Sequence, residues 1–452
     1  MDIFRVFDAL NDPRNLESAM RFVKKYKAHA QGTISYTTSP VHTVPNYVKL
    51  AKRLRDLGAD TICIKDMAGI LTPGAASELV AALVKAVPDL PIQVHSHMTS
   101  GMASAMYMQA VKAGAGCVDC AISTMSSFSS QPPAETIKAM LESESYSTDL
   151  DSDKLSKINS YFMDLKKSRM PASSMKMEAV DAGVLVHAIP GGMISNLRNQ
   201  LSQQDALDRL DEVLRELPKA RADLGYPPLV TPTSQIVGVQ SVLNVLSGKR
   251  YSMVTEETKR YAAGFYGATP APIDPKLRKK LIGDLKPITC RPADLLDKNA
   301  LEKFASEIPA GTIKAEEDIL SYALFPEVAL EYFAWRKNGG PIPADEELAK
   351  QAAPENAPKQ AAKAEAAAER LSSVPSGVQV LAPLNGTFYR SDAPGKSDFA
   401  ADGSAVKKGQ AVCVIEAMKL FNPVKADSDG KITFLASHAQ NVHKGDVIAV
   451  IS

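Results

Sequence analysis

What this 452-residue chain lacks narrows its possibilities first. Its 52 lysines and arginines against 51 aspartates and glutamates leave a formal net charge of +1. Without an excess of positive charge there is no polyanion footprint, so nucleic acid is not an expected partner. The five cysteines (Cys63, Cys117, Cys120, Cys290 and Cys413) form no disulfide framework and suit a reducing compartment. No apolar run approaches the roughly 18 residues of a membrane span. The opening MDIFRVFDALND lacks the basic, apolar and small-residue regions of a secretory leader. The expectation is a soluble, cytoplasmic protein. Hydrophobic residues make up 45% of the chain, enough for ordinary globular cores, and the length allows two or three domains.

What is present is, first, a rhythm. Up to about residue 143, strand-like runs alternate with amphipathic helical segments. The runs are DIFRVFDAL (2–10), GTISYTT (32–38), DTICIKD (60–66), IQVHSH (92–97) and CVDCAIS (117–123). In the helical segment TVPNYVKLAKRLRDLG, Tyr47, Val48, Ala51, Leu54 and Leu57 share one face. Asp12-Pro13 and Thr72-Pro73 read as N-caps followed by proline at the first helical position, and Gly58 and Gly114 as helix stops. Five βα units with short loops predict a parallel sheet, in a doubly wound fold or a barrel. Beyond residue 150 the strand signal disappears, and ALDRLDEVLRELPKARADLG and EEDILSYALFPEVALEYFAWRKNGG each read as a helix. A stretch rich in Ala, Glu, Lys and Pro then offers nothing to build a core from, and reads as a linker. Short β runs separated by Gly, Asp and Lys turns close the chain. The expected division is an α/β domain over 1–145, a mostly helical domain over 146–345, a linker over 346–375 and a small all-β domain over 376–452.

Five places invite a chemical reading. His95 and His97, in VHSHMTSG, lie two apart on a strand and so face the same way, at the strand end where such folds place active sites. They read as a metal pair or as two ordinary polar contacts. Lys65, in CIKDMAG, ends the preceding strand and should lie beside them. Desolvated or near a cation, its amine could act as a base or nucleophile, or take up carbon dioxide as a carbamate. The plainer alternative is a salt bridge to Asp66 or another acid of the barrel. Cys117 and Cys120 form a lone C-x-x-C in a strand expected to be buried, and read as small apolar packing. Thr231, in LVTPTSQIVG, is explained cheaply as an N-cap. Last, VIEAMKLFN (414–422) holds Lys419 at a turn between two apolar runs, its amine out in solvent.

EAMKL in an all-β C-terminal region resembles the biotin-attachment motif of biotinyl carrier domains, with APLNGTFYRS upstream fitting as well. That resemblance implies a biotinyl amide on Lys419, flanked by Ala417 and Met418. The segment FYRSDAPGKSDFAADGSAVKKG is similar to the extended thumb of some of these carriers. FRVFDALND, IKDMAG, H-x-H-x-TSG, IPGGMISNL, YPPLVTPTSQIVG, PITCRPADLL and YALFPEVA resemble the carboxyltransferase components of biotin enzymes acting on pyruvate and oxaloacetate. This likeness runs from residue 1 to about 340. It implies a (β/α)8 barrel, of which this chain supplies about five units, followed by the helical and lipoyl-like domains. It also implies a carboxylated Lys65 that binds a divalent metal, usually zinc, together with His95 and His97. Thr231 would shuttle a proton between biotin and the substrate enol. The implied partners are a biotin carboxylase subunit or membrane decarboxylase subunits, a biotin protein ligase and further copies of the chain.

The chain departs from the family's pattern in two respects. The family's barrel begins with three further units, whose first carries an R-D-x-x-Q motif that supplies another metal ligand and grips the substrate. The expectation is therefore a chain shortened at its start, with an open strand edge on DIFRVFDAL. Met98 stands where relatives often place Asp or Ala, which alters the site's mouth without removing a ligand. A carrier and scaffold without catalysis is the rival reading. An aldolase-like lyase on the same kind of metal barrel is a third, against which the carrier region argues.

Overall fold

The computed structural model describes residues 1–169, 180, 182–187, 191–297, 299–340, 377–391, 398–417 and 420–452. The first elements alternate: β1 (Ile3–Val6), α1 (Pro13–Lys25), β2 (His29–Ser35), α2 (Val44–Asp56), β3 (Thr61–Asp66), α3 (Pro73–Ala86), β4 (Ile92–Ser96), α4 (Ala103–Lys112), β5 (Cys117–Val118) and α5 (Ala134–Ser143). Helices follow: α6 (Ser152–Arg169), α7 (Val184–His187), α8 (Gly191–Gln203), α9 (Leu210–Asp223), α10 (Thr233–Leu246), α11 (Glu256–Ala263), α12 (Pro275–Ile282), α13 (Ala300–Glu307), α14 (Glu316–Leu324) and α15 (Pro326–Lys337). The C-terminal strands are β6 (Val378–Leu381), β7 (Gly386–Tyr389), β8 (Ala405–Val406), β9 (Ala411–Ala417), β10 (Leu420–Lys425), β11 (Gly430–Phe434), β12 (Gln440–Val442) and β13 (Val447–Ile451). Two compact units result. One comprises Met1–Asp151, Val180–Thr289 and Ala357–Ser452, and the other Ser152–Ala179 and Cys290–Asn356.

In the first unit, β1 to β5 lie in sequential order, each parallel to the last. Sequential order is the winding of a barrel, whereas a doubly wound sheet reverses at a switch point. Alternation along the strands separates two environments. Ile62, Ile64, Ile92 and Val94 point to the helices and are fully buried among Leu54, Leu79, Leu83 and Met106. Each such side chain contributes about 1.5–3 kcal/mol by leaving water. The other face of the sheet carries polar side chains. Asp12 caps α1 by accepting from the Arg14 N–H, Thr72 caps α3 through Ala75, and Gly58 and Gly114 follow the ends of α2 and α4 with positive φ.

Three expectations about extent need correction. The run expected as a strand over 2–10 stops at Val6, because one Asp8 carboxylate oxygen accepts from the backbone N–H groups of both Leu10 and Asp12 (3.0 Å each) and folds 8–12 into a turn. The run expected over 117–123 pairs in the sheet only at Cys117 and Val118, after which Ala121 bonds to residues 132–134 instead. Cys117 is consequently exposed and Cys120 half-buried, so the lone C-x-x-C is not in a buried strand. The helix expected from EEDILSYALFPEVALEYFAWRKNGG is two, α14 and α15. Proline lacks the N–H to continue a helix and disfavours helical geometry before it. Phe325 accordingly sits at φ −144° and ψ 69°.

The C-terminal strands form two four-stranded sheets, ordered β10-β9-β7-β12 and β6-β13-β11-β8. Both close over Phe388, Val412, Ile415, Ile432 and Ile448, none of them exposed. Gly386 passes so closely against β9 that a Cβ there would run into the Glu416 carbonyl oxygen and lie 2.7 Å from Ile415 Cγ2. Gly386→Ala is therefore expected to destabilise this region by about 1–3 kcal/mol, as overpacking does. Thermal unfolding of the full chain would register it as a lowered midpoint. The stretch read as a linker (346–375) lies outside the described residues, as do Met418 and Lys419.

Candidate active site at the end of the parallel sheet

The polar face of β1 to β5 is a closed hydrogen-bond ring. The register sets Arg5 beside Gln31, and Lys65 between Ser35 and His95. Arg5 donates from Nη1 and Nη2 to the two Asp119 oxygens (2.6 and 3.2 Å) and from Nε to Gln31 Oε1 (2.5 Å). Gln31 Nε2 donates to Gln93 Oε1 (2.6 Å), and Gln93 Nε2 returns to Asp119. Burial alone would raise the Asp119 pKa. Hydrogen bonds from His95, Arg5 and Gln93 and the charge of Arg5 outweigh it, and hold the carboxyl well below its usual range.

His95 and His97 are brought together, their ring centroids 5.4 Å apart. His95 Nδ1 lies 2.7 Å from Asp119 Oδ2. A carboxylate only accepts, so Nδ1 carries the proton and a neutral ring presents Nε2 as a lone pair. That Nε2 is buried and has no hydrogen-bond partner, an orphaned acceptor of the kind that calls for a ligand. Burial, His95 and Lys65 push the His97 pKa down to about 4, keeping its ring neutral near pH 7.

Lys65 does not bridge to Asp66. Its amine lies 3.8 Å from the centroid of the Phe7 ring, and burial, then the charge of Arg5, lower its pKa. Asp66 is fully buried and accepts from the N–H groups of Ile70 (3.1 Å) and Leu71 (2.8 Å) and the Ser96 hydroxyl (2.9 Å). It thereby ties the β3–α3 turn to the end of β4. Tyr107 of α4 receives the Ser96 N–H at 2.9 Å and fixes the same strand end from the helix side. Gly69, with φ +68°, lets that turn approach the His97 carbonyl, where a Cβ would sit at 2.7 Å. The segment carrying both histidines is thus held from two sides. Met98 packs toward the helix-side core and leaves the donors alone.

Thr231 is not a cap. The N-cap of α10 is Pro232, and the buried Thr233 hydroxyl donates to Pro228 O (2.5 Å) and Val230 O (2.7 Å). Thr231 is exposed instead to a cavity of about 400 Å³, whose lining includes His97, Met67, Asn196, Gln200 and Gln235. His97 and Thr231 therefore line one space. Sequence reasoning gave no role to Arg5, Gln31, Gln93 or Asp119. The signal was available: Gln93 lies two before His95, and Arg5 alternates with apolar neighbours, as inward-facing residues do.

Comparison with known proteins is consistent along the chain. The family model described as HMGL-like matches residues 13–161, the conserved carboxylase domain 184–374 and the biotin-requiring enzyme domain 378–451. A pyruvate carboxylase subunit of Methanocaldococcus jannaschii is 51% identical over 353 residues, covering 77% of this chain and 62% of that protein. Its counterpart from Methanothermobacter thermautotrophicus is 43% identical over 432 residues, covering 93% and 75%. The carboxyl transferase domain of Rhizobium etli pyruvate carboxylase superposes with a TM-score of 0.70 at 25% identity, covering 94% of this chain and 70% of that one. The chain thus spans under two thirds of the first of these relatives.

Proposed function

This chain belongs to the family of biotin-dependent carboxyltransferases, and from that premise we propose that it moves a carboxyl group between biotin on Lys419 and pyruvate or oxaloacetate. The observation that carries the reading is the cavity lined by both His97 and Thr231, beside a polar ring that leaves His95 Nε2 unpartnered. In the carboxylating direction pyruvate loses a methyl proton, its carbon takes the carboxyl group from carboxybiotin, and the biotin nitrogen takes a proton. In the reverse direction oxaloacetate gives its carboxyl group to biotin. Thr231 is assigned the proton relay, since a hydroxyl can donate and accept at once. Water must be kept out while the enolate exists, which favours a recessed cavity.

The donors fit a divalent metal. His95 offers an oriented lone pair and His97 is held neutral. The family resemblance adds Lys65 as a third donor, in the form of a carbamate, and the register sets that residue beside His95; among the described residues no group of three or more His, Cys, Asp or Glu could hold a metal. Nitrogen and oxygen donors of this sort suit zinc. Bound there, the ion would stabilise negative charge developing on the substrate oxygen. Asp119 would act behind His95 by fixing its tautomer. Asp119→Ala is expected to weaken metal affinity about 10–100-fold, measured by competition with a chromogenic chelator.

A biotin protein ligase would load Lys419, and a biotin carboxylase subunit or membrane decarboxylase subunits would complete the cycle. Among the described residues no helix is long and apolar enough to cross a membrane. The decisive measurement is oxaloacetate decarboxylation by the biotinylated, zinc-supplied chain. Turnover that depends on biotin supports the proposal. Its absence in a fully biotinylated chain overturns it, and leaves a carrier serving another carboxylase.

A further inference from the structure

One polar contact joins the C-terminal β region to the helices that line the cavity. Gln204, in the turn just after α8, makes a reciprocal pair with the backbone of Asn385: Nε2 donates to the Asn385 carbonyl (2.7 Å), and Oε1 accepts from its N–H (2.9 Å). The Asn385 amide Nδ2 donates to the Gln203 carbonyl and to Asp205 Oδ2, both at 3.1 Å. On the carrier side, Asn385 Oδ1 accepts from the Lys444 N–H (2.8 Å). Every polar group of Asn385 is thereby used. Leu384 beside it is 1% exposed and shares one apolar cluster with Leu201 and Ala206.

The register says which end of the carrier is held. Thr387 of β7 pairs with Glu416 of β9, and antiparallel pairing runs on toward Ala417 as β7 is followed back to Asn385. Ala417 in turn pairs with Leu420 across the β9–β10 hairpin, leaving residues 418 and 419 to join them. Asn385 therefore lies at the end of the sheet where the β9–β10 connection is made. The other partner, α8, lines the cavity through Met193, Asn196, Leu197 and Gln200. At about 1.5 Å rise per residue, Gln203, the last residue of α8, stands roughly 4.5 Å along the helix from Gln200 and about 10 Å from Asn196, and Gln204 follows it in the turn.

We propose that the Gln204–Asn385 contact is a docking latch that seats this chain's own carrier, hairpin end first, beside the cavity. The inference rests on the proposed function and adds its partner surface. α8 then serves two purposes, closing the cavity with one stretch and holding the carrier with its last residues. The latch sets a small group of hydrogen bonds beside the one apolar side chain of Leu384, a contact the carrier must be able to leave for a second enzyme between turnovers. A pair of neutral hydrogen bonds holds geometry at modest cost to release.

The test uses the full chain with Gln204→Ala and Gln204→Glu. Position 204 lies outside α8, so both leave that helix intact, and the second can no longer donate to the Asn385 carbonyl. Hydrogen exchange at the Asn385 amide is expected to rise about tenfold in Gln204→Ala and less in Gln204→Glu, whose carboxylate can still accept from that N–H, while residues 411–417 stay as protected as in the wild type. Turnover driven by the attached biotin should fall three- to tenfold, with turnover driven by added free biotin unchanged. Unaltered exchange at Asn385 in Gln204→Ala, or an equal fall in both reactions, overturns the latch. Complete lack of turnover with free biotin counts against the carboxyltransferase reading instead, and the exchange result still decides whether the carrier docks here.

Discussion

Lys419→Arg is expected to remove streptavidin labelling altogether and to reduce turnover driven by attached biotin to background, while turnover with added free biotin survives. The ligase needs a nucleophilic amine, and a guanidinium stays protonated at any working pH. Arginine otherwise keeps a long, positively charged side chain, so the fold has no reason to change. The core beneath the hairpin is made by Val412, Cys413, Ile415 and Ala417, all buried and all remote in character from the substituted tip. Intact mass and a streptavidin blot check the modification, and thermal unfolding checks the fold. Labelling that persists would move the attachment site elsewhere, and loss of both reactions would mean that the substitution had disturbed the cavity as well.

The contrast between this lysine and the cavity shows what a sequence can carry. Lys419 was readable as an attachment candidate because that motif is short and local, and the described pairing of β9 with β10 runs up to Ala417 and Leu420 on either side of it. His95, His97 and Lys65 were legible for a related reason: two are on one strand, and the third ends its immediate neighbour. Period-2 geometry and sequential strand order brought them together as expected. The Arg5–Gln31–Gln93–Asp119 ring was not legible, because a glutamine inside a strand pattern looks like any solvent-facing polar residue until the sheet curves around it. Thr231 failed in the opposite direction. A threonine before proline and a helical run has an inexpensive local explanation, but Pro232 takes the cap position, the helix begins at Thr233, and Thr231 is left lining the cavity between α8 and α10. Asn385 and Gln204 were invisible for the plainest reason. Their contact joins segments 181 residues apart, and neither side chain belongs to a pattern that names it.

Thr231→Ala is expected to lower kcat by about 10²–10⁴-fold, the usual contribution of a positioned proton-transfer group, with attached and with free biotin alike. The equal fall separates it from the latch variants, which act only on the attached cofactor. KM for oxaloacetate should change little, because the residue is asked to move a proton rather than to grip the substrate. Metal content should not change at all, since Thr231 shares the cavity with His97 but is not itself one of the assigned metal donors. Thr231→Ser keeps a hydroxyl at the same Cβ and should recover most of the rate, which a role in packing the methyl group would not allow. Thr233 supplies the control within the same tripeptide. Its hydroxyl is already spent on the carbonyls of Pro228 and Val230 and is buried. Thr233→Ala should therefore destabilise the start of α10 by about 1 kcal/mol and lower the unfolding midpoint, leaving the ratio of the two biotin-driven rates untouched. If Thr231→Ala instead lost stability and kept its rate, the hydroxyl would be structural after all, and the proton would have to travel through another cavity group, of which Ser234 and Gln235 are the nearest in sequence.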